Sequence, residues 1–320
     1  MQKKILTVTL NPALDLSTSV DRMLANRKLR CAGTVLEPGG GGVNVSRMIH
    51  RFGGKSTAFV ALGGPTGRSL RELMEHDGLE VVEFPIAGGT RQNVTVDETA
   101  HKRQYRLVLQ GPRWSGKEMK AALQRIERLA ADHDYVVATG SLPPGVPEDF
   151  YARLARIVRR QGGNLILDTS GPPLRKALEA GVYLVKPNHI EFRDMSSTSR
   201  SDWQSMARVG RGLQERRKAE VMIVTRGAMG ALAILPSNDS HGGAWRLQSP
   251  KGKVVSRVGA GDSLIGAAVL AIARGRPLLE ACRLGIAAAS AAVESPGTEL
   301  AGRAETLRIA RRTKVWEVEA

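Results

Sequence analysis

The sequence predicts an α/β fold: a doubly wound, mainly parallel sheet flanked by helices on both faces, with a small β-sheet set over it as a lid. Three observations carry this expectation. Short apolar runs alternate with amphipathic stretches along most of the chain. Those runs are near-continuous in Val, Ile and Leu, as strands buried on both faces must be. Two segments in the N-terminal third, about 14–38 and 91–109, break the alternation with half-polar strands and few helix signals.

In chain order, residues 5–10 form a first strand that stops at Asn11-Pro12. Val43, Val45, Met48, Ile49 and Phe52 recur at helical spacing, so 43–52 is a helix. Residues 91–96 and 104–109 alternate as a hairpin of half-exposed strands, which assigns them to the lid. Ser115 and Glu118 make a capping box that opens a helix reaching about residue 131. Residues 134–139 are a short buried strand, 148–160 a helix and 164–169 another buried strand. Segments 182–185 and 221–225 repeat the strand pattern with helical sequence between them, and 264–274 is an apolar, small-residue helix. This alternation builds a parallel sheet in one unit of 320 residues, with no repeat or long linker.

Composition removes several function classes. Hydrophobic content of 42% and charged content of 24% are those of a globular chain. The longest apolar run, 264–273, is far below the roughly 20 residues of a membrane span. Cys31 and Cys282 form no disulfide framework and fit a reducing, cytoplasmic setting. The six histidines are scattered without metal-ligand spacing. Lys and Arg exceed Asp and Glu by 47 to 31, a formal charge of +16, yet the basic residues are dispersed and aromatics are only 4%. Cations not interleaved with stacking rings suit small anionic substrates better than nucleic acid.

Two glycine-rich loops carry the chemistry. Pro38-Gly39-Gly40-Gly41-Gly42-Val43-Asn44 leads straight into a helix. Four glycines give up side-chain burial, so the run is expected to serve backbone approach to a ligand rather than packing, with a flexible connector as the alternative. Asn44 stands where it can bond a hydroxyl or phosphate. In Val258-Gly259-Ala260-Gly261-Asp262-Ser263, the amides of Gly259, Ala260 and Gly261 face an anion at a helix N-terminus. Asp262 in the same turn is placed to take a proton from an attacking hydroxyl, with a plain helix-capping role as its alternative. Neither loop is a Walker loop or a spaced dinucleotide fingerprint.

Six motifs in order resemble the PfkB/ribokinase family of sugar kinases: TLNPALD (9–15), EPGGGGVNV (37–45), GSLPPG (140–145), VKPNHIE (185–191), VTRGAMGAL (224–232) and VGAGDS (258–263). The resemblance spans about 5–297 and is strongest with the hexose-phosphate kinase branch, through Arg27-Lys28-Leu29-Arg30-Cys31, Thr90-Arg91-Gln92-Asn93 and Gln104-Tyr105-Arg106. It implies a ribokinase-like fold with a β-lid, ATP and Mg²⁺ as cofactors, a homodimer paired through the lid, and transfer of phosphate from ATP to the 1-hydroxyl of fructose 6-phosphate. Asp262 is then the base and Gly259, Ala260 and Gly261 the anion hole. Asp15, Gly40, Gly41, Asn44 and Ser141 meet the sugar, and Lys28, Arg30, Arg91 and Arg106 meet its own phosphate. Lys186, Asn188, Thr225, Gly227, Gly230 and Ser290 serve the nucleotide, and Glu191 holds Mg²⁺ through water.

The cations have a stated task, since two phosphate-bearing substrates repel each other. Ribose would need no such arginines. Two departures stand out: Ser256-Arg257 replaces a frequent Asp-Thr, and Ser295-Pro296-Gly297-Thr298-Glu299 replaces a loop that helps hold a monovalent cation in relatives. Potassium is therefore an open question here. Sister kinases acting on fructose 1-phosphate or tagatose 6-phosphate are the nearest alternative reading, and a non-catalytic basic binding protein is the remote one.

Overall fold

A computed structural model describes residues 1–196, 198, 200, 202–250, 252, 254–256, 258–294 and 300–319. The first third contains β1 (Ile5–Thr9), β2 (Ala13–Val20), β3 (Ala32–Gly39), α1 (Gly41–Arg51), β4 (Thr57–Leu62), α2 (Gly64–His76), β5 (Glu80–Pro85), β6 (Arg91–Glu98) and β7 (Arg103–Leu107). The middle runs through α3 (Gly116–Ala130), β8 (Tyr135–Thr139), α4 (Phe150–Arg160), β9 (Asn164–Asp168), α5 (Gly171–Ala180), β10 (Val182–Val185), α6 (His189–Ser196) and α7 (Trp203–Glu215). The last part holds β11 (Ala219–Thr225), β12 (Ala231–Leu235), β13 (Gly243–Gln248), α8 (Ala260–Ala273), α9 (Leu278–Val293), α10 (Arg303–Arg312) and β14 (Lys314–Glu317).

Ten strands make the main sheet in the order β14-β13-β12-β11-β10-β9-β8-β1-β4-β5. Pairing is parallel from β11 to β5, while β12, β13 and β14 extend one edge antiparallel. Adjacent residues of each strand face opposite layers. Leu6 and Val8 pack with α3, α4, α5 and α7, whereas Ile5 and Val137 pack with α1, α8 and α9. Helix α8 is buried from Ser263 to Ala273, which explains why its sequence is apolar all round. Its close neighbours need glycine: a side-chain carbon on Gly266 would come 2.7 Å from Met48 Cβ.

The second sheet has four strands in the order β3-β2-β6-β7. Strands β6 and β7 are the expected antiparallel hairpin. Strands β2 and β6 run parallel, although Leu14 and its partner Gln92 lie far apart in sequence, so no local signal announced the pairing. The Ser115–Glu118 capping box is present in both directions, and α3 ends at Ala130. Strands β4, β5 and β12 to β14 had no separate sequence expectation; several are short, and tertiary pairing decides them.

Chain connectivity places the functional end. From β1 the chain moves one way to β4 and β5, then returns to β8 on the other side of β1 and continues outward. Where a parallel sheet reverses its winding, the carboxyl ends of adjacent strands leave a crevice. Here that crevice lies between β1 and β8. The ends of β1, β8, β9 and β10 deliver Thr9, Thr139, Asp168 and, one residue on, Lys186.

Candidate active site

Asp262 is the third residue of α8. Gly259 precedes the helix at φ +71°, a left-handed turn that glycine takes without strain. The amides of Ala260, Gly261 and Asp262 therefore form an open first helical turn, the positive end of the α8 dipole. The capping alternative for Asp262 does not hold, because Gly259 occupies the cap position. The Asp262 carboxylate instead accepts a hydrogen bond from Asn44 Nδ2 at 2.9 Å, across from α1. Burial pushes the Asp262 carboxyl up to about 7, against the lowering effects of the Asn44 bond and the Lys186 charge, and with nearby Asp168 adding to the rise. A carboxyl titrating near neutrality is suited to general-base work.

Lys186 is 7% exposed, and its Nζ lies 3.1 Å from Asp168 Oδ2. Burial alone would push this ammonium down, but Asp168, Asp262 and Glu191 together hold it above its usual value. It stays a cation, facing the α8 turn: a side-chain carbon on Gly261 would meet Lys186 Nζ at 3.4 Å and Asp168 Oδ2 at 3.7 Å. Asp168 was not among the expected site residues. Its signal was available, since it closes the apolar strand NLILD at the carboxyl end of a parallel sheet.

The glycine run corrects one expectation. The sequence predicts ligand approach rather than packing, yet the protein's own side chains press against it. A side-chain carbon on Gly39 would overlap the Asp15 carboxylate, on Gly41 the Thr139 hydroxyl, and on Gly42 the Thr9 hydroxyl. Gly40, at φ +110°, turns β3 into α1. Gly41 and Gly42 already belong to α1, so the helix begins two residues before the apolar pattern does. The run is not a flexible connector. It is the floor on which Asp15, Thr139 and Asp262 converge, with Asp262 Oδ1 at 3.3 Å from the place a Gly41 side-chain carbon would take.

A second cluster adjoins this floor from the small sheet. Asp15 on β2 accepts Asn93 Nδ2 at 2.8 Å, and burial raises its carboxyl despite that bond and the charges of Arg91 and Arg106. Arg91 is not an exposed strand residue: Nη1 donates to Leu109 O at 3.0 Å and Nη2 to Asn11 O at 3.1 Å. Arg106 is exposed on β7; its side chain has no hydrogen-bond or ion-pair partner among the described residues, and its charge acts on Asp15. Ser141 accepts Asn11 Nδ2 at 3.1 Å. Thr9 Oγ1, Asn11 Oδ1, Asn44 Oδ1 and Thr139 Oγ1 are buried with no hydrogen-bond partner among the described residues. Each orphaned group costs about 1–3 kcal/mol. Four such groups around one floor leave it lined with hydrogen-bonding capacity that the described side chains do not use.

Asn188 and Glu191 form a third group. Asn188 Oδ1 accepts the amides of Ile190 and Glu191, and Glu191 Oε2 accepts the Asn188 amide at 2.8 Å. This reciprocal cap opens α6 and uses one carboxylate oxygen of Glu191, Oε2. Thr225 bridges to Asn188 at the end of β11. Gly230 is a packing glycine, because a side-chain carbon there would overlap Leu247 O on β13. Gly227, in the exposed turn after β11, and half-buried Ser290 on α9 make no described contact with the site. Lys28 and Arg30 sit exposed in the β2–β3 loop. The loop lies beyond the Ser19–Ala32 pair, roughly 14 Å up the small sheet from Asp15 by strand rise. Arg257 and the 295–299 loop lie outside the described residues.

A buried carboxylate and lysine beneath a helix N-terminus, beside a second cluster on a small sheet, form the candidate site of a ribokinase-like α/β scaffold. The chain belongs to the pfkB family of carbohydrate kinases, whose pattern matches residues 8–304. It is 40% identical over 305 residues to the ATP-dependent 6-phosphofructokinase isozyme 2 of Mycobacterium tuberculosis, covering 95% of this chain and 88% of that one. It is 36% identical over 300 residues to the 1-phosphofructokinase of Bacillus subtilis, covering 92% and 95%. The crystal structure of phosphofructokinase-2 from Escherichia coli in complex with potassium superposes with a TM-score of 0.89 at 34% identity, covering 97% and 98%. No helix among the described residues is long and apolar enough to cross a membrane.

Proposed function

We propose that this kinase transfers the terminal phosphate of ATP to the 1-hydroxyl of fructose 6-phosphate, giving fructose 1,6-bisphosphate and ADP. The observation that carries the reading is the Asp262 carboxylate, buried in the first turn of α8, held by Asn44 and raised to about 7. The sugar hydroxyl lies over the Gly40–Gly41 floor. Asp262 accepts its proton as the oxygen attacks phosphorus and the bond to ADP breaks. The amides of Ala260, Gly261 and Asp262 take up charge on the transferring group, with Gly259 turning the chain into position. Lys186, held as a cation by Asp168, offsets the repulsion between the two phosphate-bearing substrates.

Asp15 and Asn44 bind sugar hydroxyls, and the orphaned oxygens of Thr139 and Asn11 fit the same task. Ser141, bonded to Asn11, sits at the edge of this group. Arg106, unpaired beside Asp15, meets the sugar's own phosphate. Arg91, with two backbone carbonyls to hold, shapes that pocket while contributing charge. Thr225 and the 227–230 turn flank the nucleotide. No group of three or more metal-ligating side chains exists among the described residues. A single carboxylate, Glu191, fits Mg²⁺, which is held mostly by phosphate oxygens and waters with one or two carboxylates. Glu191 would hold it through water, and bound Mg²⁺ would neutralise charge on the phosphates.

The small sheet acts as a lid and as the pairing surface of a homodimer. Val35, Leu36, Leu107, Val108 and Leu109 expose 44–61% of their surface there, on its two edge strands and the segment just after β7. In such a pair the distal Lys28 and Arg30 approach the partner's sugar phosphate rather than their own. A second reading keeps the same machinery with another acceptor: fructose 1-phosphate, supported by the similarity to a 1-phosphofructokinase, turns the sugar around, whereas tagatose 6-phosphate keeps the orientation and differs at one hydroxyl. ADP release from Mg-ATP with fructose 6-phosphate, fructose 1-phosphate and tagatose 6-phosphate separates these. Preference for fructose 6-phosphate, abolished in Asp262→Ala, is expected. Preference for fructose 1-phosphate overturns the substrate and the assignment of Arg106, preference for tagatose 6-phosphate overturns the substrate alone, and no turnover with any of them overturns the substrate reading.

A further inference from the structure

The small sheet meets the body at four crossings. The chain enters it through 10–12, leaves through Gly40 into α1, re-enters through 86–90 and leaves again through 108–115. Arg91 ties the first and last crossings together through Asn11 O and Leu109 O. The second crossing is held by a different guanidinium. Arg47 on α1 donates Nη1 to Pro38 O at 3.2 Å and Nη2 to Glu37 Oε1 at 3.4 Å, and its Nε donates to Asp77 Oδ2 at 2.9 Å. Its side chain is 10% exposed. One planar group thus grips the end of strand β3, the helix that follows it and the residue that ends α2.

We propose that Arg47 is a positioning residue that couples the lid to the catalytic base. Two chains of contact meet at it. On the lid side, Glu37 lies directly across from Asp15 in the β2–β3 register, and the Asp15 carboxylate rests against Gly39. On the body side, Arg47 is three residues beyond Asn44, whose side chain holds Asp262. A change in the angle between β3 and α1 moves Asp15 relative to Asp262, and Arg47 sets that angle. The Arg47 fork is the type of donor that fixes direction as well as distance; a lysine there keeps the charge and loses the geometry. Arg47 touches no reacting atom, and its effect travels through where the sugar is held rather than through the proton transfer itself.

The kinetic part of this inference rests on the phosphotransfer reading; the structural part does not. Arg47→Lys and Asp77→Asn are compared with the full-length wild type in two measurements. The first is the KM for sugar phosphate and for Mg-ATP. The second is amide hydrogen exchange across the whole chain without substrates. In Arg47→Lys the sugar-phosphate KM is expected to rise about tenfold, the size of one lost charge-assisted hydrogen bond, with the ATP KM within about twofold. Exchange across 13–39 is expected to quicken about tenfold while the amides of α8 stay protected. Asp77→Asn, which loosens only the body anchor, is expected to shift both readouts in the same direction and less. Equal rises in both KM values, or unchanged exchange over 13–39 in Arg47→Lys, overturn the proposal. If the wild type turns over none of the three acceptors, the substrate reading fails, and the exchange pattern still decides whether Arg47 controls the lid.

Discussion

Replacing Asp262 by Asn tests the site through stability as well as rate. Asn resembles the protonated acid in size and keeps an acceptor oxygen for Asn44 Nδ2. The wild-type carboxyl rises from an ordinary 3.8 to about 7 in the folded chain, mainly through burial. Because the folded state binds this proton more tightly, the carboxylate costs nothing below the unfolded value. The penalty grows as pH climbs from about 4 to 7 and is complete above that. At about 1.4 kcal/mol per pH unit, the native state gives up about 4 kcal/mol at pH 8, about 2 at pH 5 and under about 1 at pH 4. These are upper figures, since the carboxylate keeps some surface open to the crevice. Urea unfolding of wild type and Asp262→Asn at pH 8 and pH 5 measures the gap directly. The variant is expected to be the more stable protein at pH 8, with the gap at least halved at pH 5, while its kcat falls by about 10²- to 10⁴-fold. The same titration makes wild-type kcat/KM rise with pH through about 7 to a plateau. A wild type as stable as the variant at pH 8, or a gap that does not change with pH, refutes the account of a desolvated base.

Gly41→Ala drives a methyl group into Thr139 Oγ1 and to 3.3 Å from Asp262 Oδ1, so it is expected to cost about 1–3 kcal/mol in urea unfolding together with most of the activity; an unchanged unfolding midpoint refutes the close approach. Val108→Asp alters a side chain that is 61% exposed on the lid edge, so the monomer's stability should move by no more than about 0.5 kcal/mol. Sedimentation is expected to show the dimer lost; a wild type that sediments as a monomer refutes lid pairing.

Much of the architecture was legible in sequence because its causes are local. Runs such as YVVAT and NLILD are apolar on both faces, and only a strand covered by helices on each side accepts that. Ser115 and Glu118 sit three apart and satisfy each other's backbone partner, so α3 could be started at the correct residue. Asp262 was identifiable from three small residues followed by a carboxylate at a helix start, features that all lie within one turn.

What the tertiary structure decided is every relation that depends on distance through space rather than along the chain. Sequence order does not bring Asn44 to Asp262, 218 residues away, or Lys186 to Asp168 across two neighbouring strand ends. It does not reveal that the glycine run is pressed by Asp15, Thr9 and Thr139, because a missing side chain shows only that something is close and not what. Nor does it show that Arg91 and Arg47 spend their guanidinium groups on backbone carbonyls at the lid's crossings. Local chemistry determined the elements and the residue types at their ends. Burial and the winding of the sheet determined which of those ends share one crevice, and with that the protonation of Asp262 and the charge of Lys186.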